Sequence, residues 1–258
     1  MEGWWQMKKV SVYLFPIIFV LFCLAKTTDA SLIDQGGGLI YDTALNITWY
    51  DFNYAGPQGN GATWNQAVAW ASALTVGGTS AGSWSLPTTL PVNGSTYNNV
   101  YPPSFDGSKD EGYNISAPGS AYPGSTGSEM AYLYYVDLGN KAMFDLNGNN
   151  QAGWGLVNTG PFHNLQPYGY WSGTVYPVTP SDAWGFNFYD GAQNTAPMDG
   201  NYYSNALAVH KGIVAPVNDC DHHDDDHHPA PVPEPSTMLL LGSGLAGLVG
   251  YGRRRLKK

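Results

Sequence analysis

Glycine and proline interrupt the middle of this chain so often that they leave room only for short helices and short strands. The 258 residues include 32 glycines and 18 prolines, and the longest stretch dominated by turn-forming residues spans 91–126. Aromatic side chains are abundant, with 18 tyrosines and 9 tryptophans, whereas only 12% of the residues are charged. Because many turns occur together with few strong helix formers, we expect a loop-rich, mostly β domain.

Hydrophobic patterns place the first elements of this domain. Residues 39–41 and 47–50 flank a polar turn, which predicts a β-hairpin. The capping-box spacing of Thr63 and Gln66 predicts the start of a helix, and the glycines at 77–78 are expected to end it.

Similar patterns place the later elements. A serine cap and a closing Gly-Asn pair predict a second helix over residues 129–138. The alternation of Trp184, Phe186 and Phe188 with smaller or polar residues predicts a half-buried strand, and residues 206–210 predict a closing strand. The expected fold class is therefore α+β and β-rich.

The charge is distributed unevenly along the chain. The formal net charge is −9, and within residues 31–217 three lysines stand against twelve acidic residues. Such a surface repels phosphate backbones, so nucleic acid is excluded as a partner of the domain.

Residues 1–30 have the order of a secretory signal peptide. Two lysines precede an apolar run at 10–25, and small residues suit cleavage by signal peptidase before Ser31. The start is Met1 or Met7. A transmembrane anchor is the alternative, but the run is short for that and a proline interrupts it.

An acidic, histidine-rich and proline-rich linker is expected at residues 218–232, after a domain at 31–217. Its candidate ligands for Zn²⁺, Ni²⁺ or Cu²⁺ are His222, His223, His227 and His228. The spacing is not that of a structural zinc site, and a solvated spacer is the favoured interpretation.

Residues 233–258 combine a short motif, an apolar segment and a basic end. The apolar segment at 238–251 is short and glycine-rich for a permanent anchor, and the basic cluster after it is expected to stay in the cytoplasm. The sorting-motif residues are Pro233, Glu234 and Pro235, and the membrane-stop residues are Arg253, Arg254 and Arg255.

This order of features resembles the PEP-CTERM sorting signal, also labelled the ice-binding protein C-terminal domain. The resemblance implies a Gram-negative host, often one that makes exopolysaccharide. It also implies a precursor held transiently in the inner membrane, and an exosortase that cuts near Pro233–Glu234–Pro235 and passes the body to the cell surface or matrix.

The body, over most of residues 38–212, resembles the Lcl C-terminal domain family. The landmarks are Leu-Ile-Tyr-Asp at 39–42, Trp-Ser-Leu-Pro-Thr at 84–88 and Tyr-Trp-Ser-Gly-Thr at 170–174. The resemblance implies a C-type-lectin-like fold with small antiparallel sheets, two helices and long loops. Many relatives carry a cysteine in the first helix and another in the final strand, near the positions of Ala71 and Ala208 in this chain.

Calcium is a second metal candidate, because oxygen donors at Asp145, Asn147 and Asn149 resemble the start of an EF-hand loop. The expected glycine and the bidentate acid are missing, so an Asn/Gly turn is the favoured interpretation. No cofactor is expected.

No catalytic constellation is visible in the domain, which contains only His163 and His210 as histidines. The leading hypothesis is an exported, non-catalytic module that binds polysaccharide or matrix. The alternatives are a purely structural envelope or matrix component and a carbohydrate-active enzyme, for which a perturbed carboxylate pair in a deep cleft would be the sign.

Overall fold

The computed structural model describes residues 32–216, which form a β-rich domain with two antiparallel sheets and two short helices. This architecture agrees with the predicted β-rich class. Within these residues, no helix is long and apolar enough to cross a membrane. In chain order the elements are β1 (Leu32–Gly36), β2 (Leu39–Asp42), β3 (Ile47–Tyr54), α1 (Trp64–Ser72), β4 (Trp84–Ser85), α2 (Glu129–Tyr132), β5 (Gly169–Val175), β6 (Asp182–Asn187), β7 (Ala192–Pro197) and β8 (Ala206–Lys211).

The first sheet has five strands in the order β1-β2-β3-β8-β4. The predicted hairpin is confirmed, because β2 pairs with β3 from Leu39 opposite Tyr50 to Asp42 opposite Ile47. The predicted closing strand is also confirmed, but it lies inside the sheet, where β8 pairs with β3 on one side and with the two-residue β4 on the other.

The second sheet is a three-stranded meander in the order β5-β6-β7. Its central strand contains the first part of the predicted alternation, with Trp184 and Phe186 buried on one face, while the buried Phe188 lies just beyond the end of the strand. Gly185, expected to face solvent, is buried as well. Its directly paired neighbours, which share its face of the sheet, are Trp171 in β5 and Asn194 in β7.

Helix α1 begins where the capping box predicts. Thr63 Oγ1 accepts a hydrogen bond from Gln66 N at 3.3 Å, and Gln66 Oε1 accepts one from Thr63 N at 3.0 Å. The predicted end at residues 77–78 is wrong, because the helix ends at Ser72 and those glycines lie in a separate 3₁₀ turn. In the loop that leads to β4, Gly82 N donates to Ser72 O at 2.7 Å. This bond takes up a carbonyl at the end of the helix, and α1 ends there.

The second predicted helix, over residues 129–138, consists of two parts. A single α-turn from Glu129 to Tyr132 continues into a π-helical turn at Leu133–Asp137, where Leu138 N bonds Leu133 O at 2.9 Å. Ser128 caps its start by accepting from Ala131 N. The wider π turn leaves Leu133, Tyr134 and Tyr135 all buried.

Two hydrophobic clusters hold the domain together. One surrounds the second helix and joins Trp49 of the first sheet to Phe186 of the second. The other lies beneath α1 and includes Trp84 and Trp171. Ala71 and Ala208, near the positions where the resemblance places cysteines in many relatives, are both fully buried in this second cluster.

The long segment at residues 91–126 is folded around a buried carboxylate. Asp110, which is 0% exposed, accepts hydrogen bonds from Val92 N at 2.6 Å and from Asn98 N at 2.5 Å. Its own carbonyl accepts from Gln193 Nε2 at 2.6 Å, which ties the segment to β7. Side-chain hydrogen bonds thus replace strand pairing in this region.

Candidate functional site

A cleft of about 420 Å³ opens between the second sheet and the segment that leads into β8. Asn205 N donates to Gly169 O at 2.9 Å and Asn205 O accepts from Trp171 N at 3.0 Å. Ser204 exchanges two backbone hydrogen bonds with Ala62, at 2.8 and 3.0 Å. Because both of its sides are bonded, this segment forms a fixed wall of the cleft.

The floor of the cleft is one face of the second sheet. Trp171 pairs with Gly185 across β5 and β6, and Gly185 pairs with Asn194 across β6 and β7. Directly paired residues point to the same face, so glycine stands between an indole and an amide. A Cβ at Gly185 would lie 3.0 Å from Tyr170 O and would fill part of the floor.

Three exposed tyrosines lie around this floor. Tyr168, Tyr202 and Tyr203 are 57%, 42% and 54% exposed. Tyr202 is held edge-to-face against Trp171, with ring centroids 5.4 Å apart, while Trp171 Nε1 donates to Ala62 O at 2.8 Å. The rings are therefore presented by a supported surface.

Tryptophan and tyrosine are used differently in this domain. The seven tryptophans within residues 32–216 are all buried or half-buried, whereas the large exposed aromatic residues are tyrosines and phenylalanines. At this cleft, the aromatic rings that are exposed enough to stack on a ligand are therefore those of tyrosine. Composition alone did not separate core aromatic residues from exposed ones.

A buried aspartate positions the loop that carries Tyr168. The Asp51 carboxylate accepts from His163 N at 2.8 Å and from Asn164 N at 3.0 Å, and Asn164 Nδ2 donates to Asp51 O at 2.9 Å. The His163 ring, largely exposed, has Nδ1 3.6 Å from the same carboxylate. Sequence reasoning missed this role, because Asp51 and its partners are more than 100 residues apart.

Five side-chain amides and five side-chain hydroxyls line the cleft, and two of the amide atoms are unpaired. Asn53 Oδ1 and Asn205 Nδ2 are buried atoms with no hydrogen-bond partner within the described residues. Asn205 is 6% exposed. The cleft amides belong to Asn53, Asn60, Asn187, Asn194 and Asn205.

The hydroxyl beside Asn205 belongs to Tyr170, and it stays protonated. Burial raises the pKa of Tyr170 to about 12, although the hydrogen bond from Gln166 N and the neighbouring Asn205 side chain act in the opposite direction. Gln166 N donates to this hydroxyl at 3.0 Å. Residues 32–216 contribute no charged side chain to the lining of the cleft.

The three calcium candidates lie together in one exposed turn. Asp145 Oδ1 accepts from Asn147 N and from Asn149 N, both at 2.9 Å, and these hydrogen bonds lower the pKa of Asp145, with that from Asn149 contributing most. Asn149 directs its Nδ2, a donor, toward the carboxylate. This geometry is that of a capped Asn/Gly turn, and calcium binding stays a prediction.

The other predicted site residues cannot be placed. The histidines at 222, 223, 227 and 228, the motif at 233–235 and the arginines at 253–255 lie outside the described residues. Within residues 32–216, no group of three or more histidine, cysteine or acidic residues could hold a metal ion.

A perturbed carboxyl pair is present, but it lies away from the cleft. Burial, followed by the charge of Asp42, raises the pKa of Asp137 to about 8. The Asp42 carboxylate accepts from Ala44 N, Leu45 N and Trp49 Nε1, whereas no N–H group of the described residues points at Asp137. The pair was not foreseen, because nothing in the sequence brings residues 42 and 137 together.

Comparison with known proteins identifies the end of the chain. Residues 231–255 match the PEP-CTERM protein-sorting motif. The chain is therefore an exosortase-processed, exported protein of a Gram-negative bacterium, made as a membrane-anchored precursor and targeted to the surface. No curated protein matches the chain, and no solved structure does. The resemblance of the body to the Lcl C-terminal domain family and its C-type-lectin-like fold thus stay predictions.

Proposed function

We propose that the folded domain is a non-catalytic module that binds polysaccharide at the surface of the producing cell. The observation that supports this is the cleft between β5–β7 and the segment entering β8. Exposed tyrosine rings and side-chain amides line it together, and backbone hydrogen bonds on both sides hold the wall at Ser204 and Asn205.

Sugars suit this combination of groups. The C–H faces of a pyranose ring stack on aromatic rings, and its hydroxyls both donate and accept hydrogen bonds. Tyr168 and Tyr203 supply exposed rings, while Asn53 and Asn205 supply an acceptor and a donor that the protein leaves unused. A cleft of about 420 Å³ accommodates a short stretch of a glycan chain.

The same lining argues for binding without hydrolysis. Glycosidases place two carboxyl groups on either side of the scissile bond, whereas the described residues contribute no aspartate or glutamate to this cleft. The perturbed pair, Asp42 and Asp137, does not line it either.

Export and sorting supply the location for such an activity. The sorting motif at residues 231–255 directs the domain to the outside of the cell, where exopolysaccharide made by the producer would be within its reach. A purely structural role in the envelope is the alternative, and binding measurements separate the two.

The test is affinity electrophoresis and pull-down of the mature, exported protein with polysaccharide from the producer's own matrix. We expect retardation that depends on the polysaccharide concentration, and no release of reducing ends over long incubation. Absence of binding to every fraction would favour the structural role, and release of reducing ends would favour an enzyme.

A further inference from the structure

None of the described residues that line the cleft carries a positive charge that could neutralise an anionic sugar. Residues 31–217 contain three basic residues, Lys109, Lys141 and Lys211, and none of them lines the cleft. A uronate or sulfate moved from water into a site without a cation loses hydration that uncharged amides replace only in part. Anionic glycans therefore bind here at a disadvantage.

The charge of the whole domain acts in the same direction. With twelve acidic residues against three lysines, residues 31–217 carry a formal charge of −9. A polyanion approaching this surface is repelled over roughly one Debye length, about 8 Å at physiological salt. A neutral chain experiences no such barrier.

The two unpaired amide atoms discriminate more finely. Asn205 Nδ2 needs an acceptor and Asn53 Oδ1 needs a donor, and both atoms are buried. A sugar hydroxyl is donor and acceptor at once, so hydroxyls satisfy both atoms. An ionised carboxylate or sulfate only accepts, so against Asn53 Oδ1 it would leave that atom unpaired, whereas a hydroxyl would gain a hydrogen bond there.

From these observations we infer that the cleft selects neutral glycans, and that it reads their hydroxyls through Asn53 and Asn205 and stacks their rings on Tyr168 and Tyr203. This inference rests on the proposed function and specifies its ligand class. It assigns recognition to hydroxyl hydrogen bonds and ring stacking, with no contribution from ion pairing.

The experiment uses the mature exported protein and three probes. These are the neutral and the acidic fractions of the producer's matrix polysaccharide, separated by anion exchange, and dextran sulfate as a pure polyanion. We expect binding to the neutral fraction that changes little between about 50 and 200 mM salt, because no ion pairs contribute. Binding to the acidic fraction or to dextran sulfate should be at least tenfold weaker.

Variants locate the binding. Tyr203→Ala and Asn205→Ala should each weaken binding to the neutral fraction by about tenfold, which corresponds to about 1.4 kcal/mol. Tyr122→Ala is the matched control, since Tyr122 is an exposed tyrosine outside this cleft. Because Tyr203 is exposed, its substitution tests the site without depending on the stability of the buried Asn205.

Each outcome decides a separate point. Preference for the acidic fraction, or neutral binding that both cleft variants retain, overturns the inference while polysaccharide binding itself stands. Binding to none of the three probes overturns the proposed function together with it.

Discussion

The buried carboxyl pair gives this domain a stability that should fall as the pH rises. Three N–H groups point at Asp42 and none of the described ones points at Asp137, so the proton that the pair shares belongs on Asp137. Burial, and then the charge of Asp42, raises the pKa of Asp137 to about 8. In the unfolded chain the same carboxyl titrates near its ordinary value of about 3.9.

The folded state therefore holds one proton more than the unfolded state between these two values. Its contribution to stability is complete below about pH 4 and is lost as the pH rises through about 8. One proton corresponds to a slope of at most about 1.4 kcal/mol per pH unit. Asp137 is only partly buried, so solvent screening lowers this limit, and we expect a loss of about 2 kcal/mol between pH 5 and 8.5.

Asp137→Asn is the decisive change. Its amide can donate to the Asp42 carboxylate without any titration, so urea unfolding of this variant should show little of the pH dependence. Above pH 8 it should be more stable than the parent by about 2 kcal/mol. Asp34→Asn, which removes an equal charge at an exposed position, is the control. Equal pH profiles for the parent and Asp137→Asn would refute the shared proton.

Three further outcomes are expected. Thr63→Ala should lower the free energy of unfolding by about 1 kcal/mol in denaturant titrations, because it removes the hydroxyl that accepts from Gln66 N, whereas Thr75→Ala, whose side chain caps nothing, should change little. Replacing residues 233–235 by alanine should leave uncleaved protein in the inner membrane, seen by immunoblotting of cell fractions; normal release would contradict exosortase processing. Mass spectrometry of the mature protein should find its first residue near Ser31, and retention of the apolar run would exclude signal peptidase cleavage there.

Local patterns predicted the parts of this fold that depend on neighbouring residues. The hairpin of β2 and β3, the capped start of α1 and strand β6 all follow from residues within about ten positions of one another. The end of α1 was missed because it depends on Gly82, in a loop that returns from outside the helix. The glycines at 77–78 could have ended a longer helix, but α1 already ends at Ser72, whose carbonyl accepts the tertiary hydrogen bond from Gly82.

The candidate site was not predictable for the same reason. Its walls and floor come from four separate segments, 53–61, 168–171, 185–196 and 202–205, and no spacing rule joins them. Gly185 resembled an ordinary spacer in an alternating strand until its neighbours on β5 and β7 were known. An unpaired amide atom such as Asn205 Nδ2 is a property of packing alone.

Indole hydrogen bonds connect distant segments of this domain. Trp171 Nε1 bonds Ala62 O across 109 positions, and Trp64 Nε1 bonds Ser172 O across 108. The Trp171 ring is buried and the Trp64 ring is half-buried against the same cluster, so both residues contribute hydrophobic contact in addition to their hydrogen bonds. With the tryptophans serving the core in this way, the exposed tyrosines can contact a ligand without removing any of these connections.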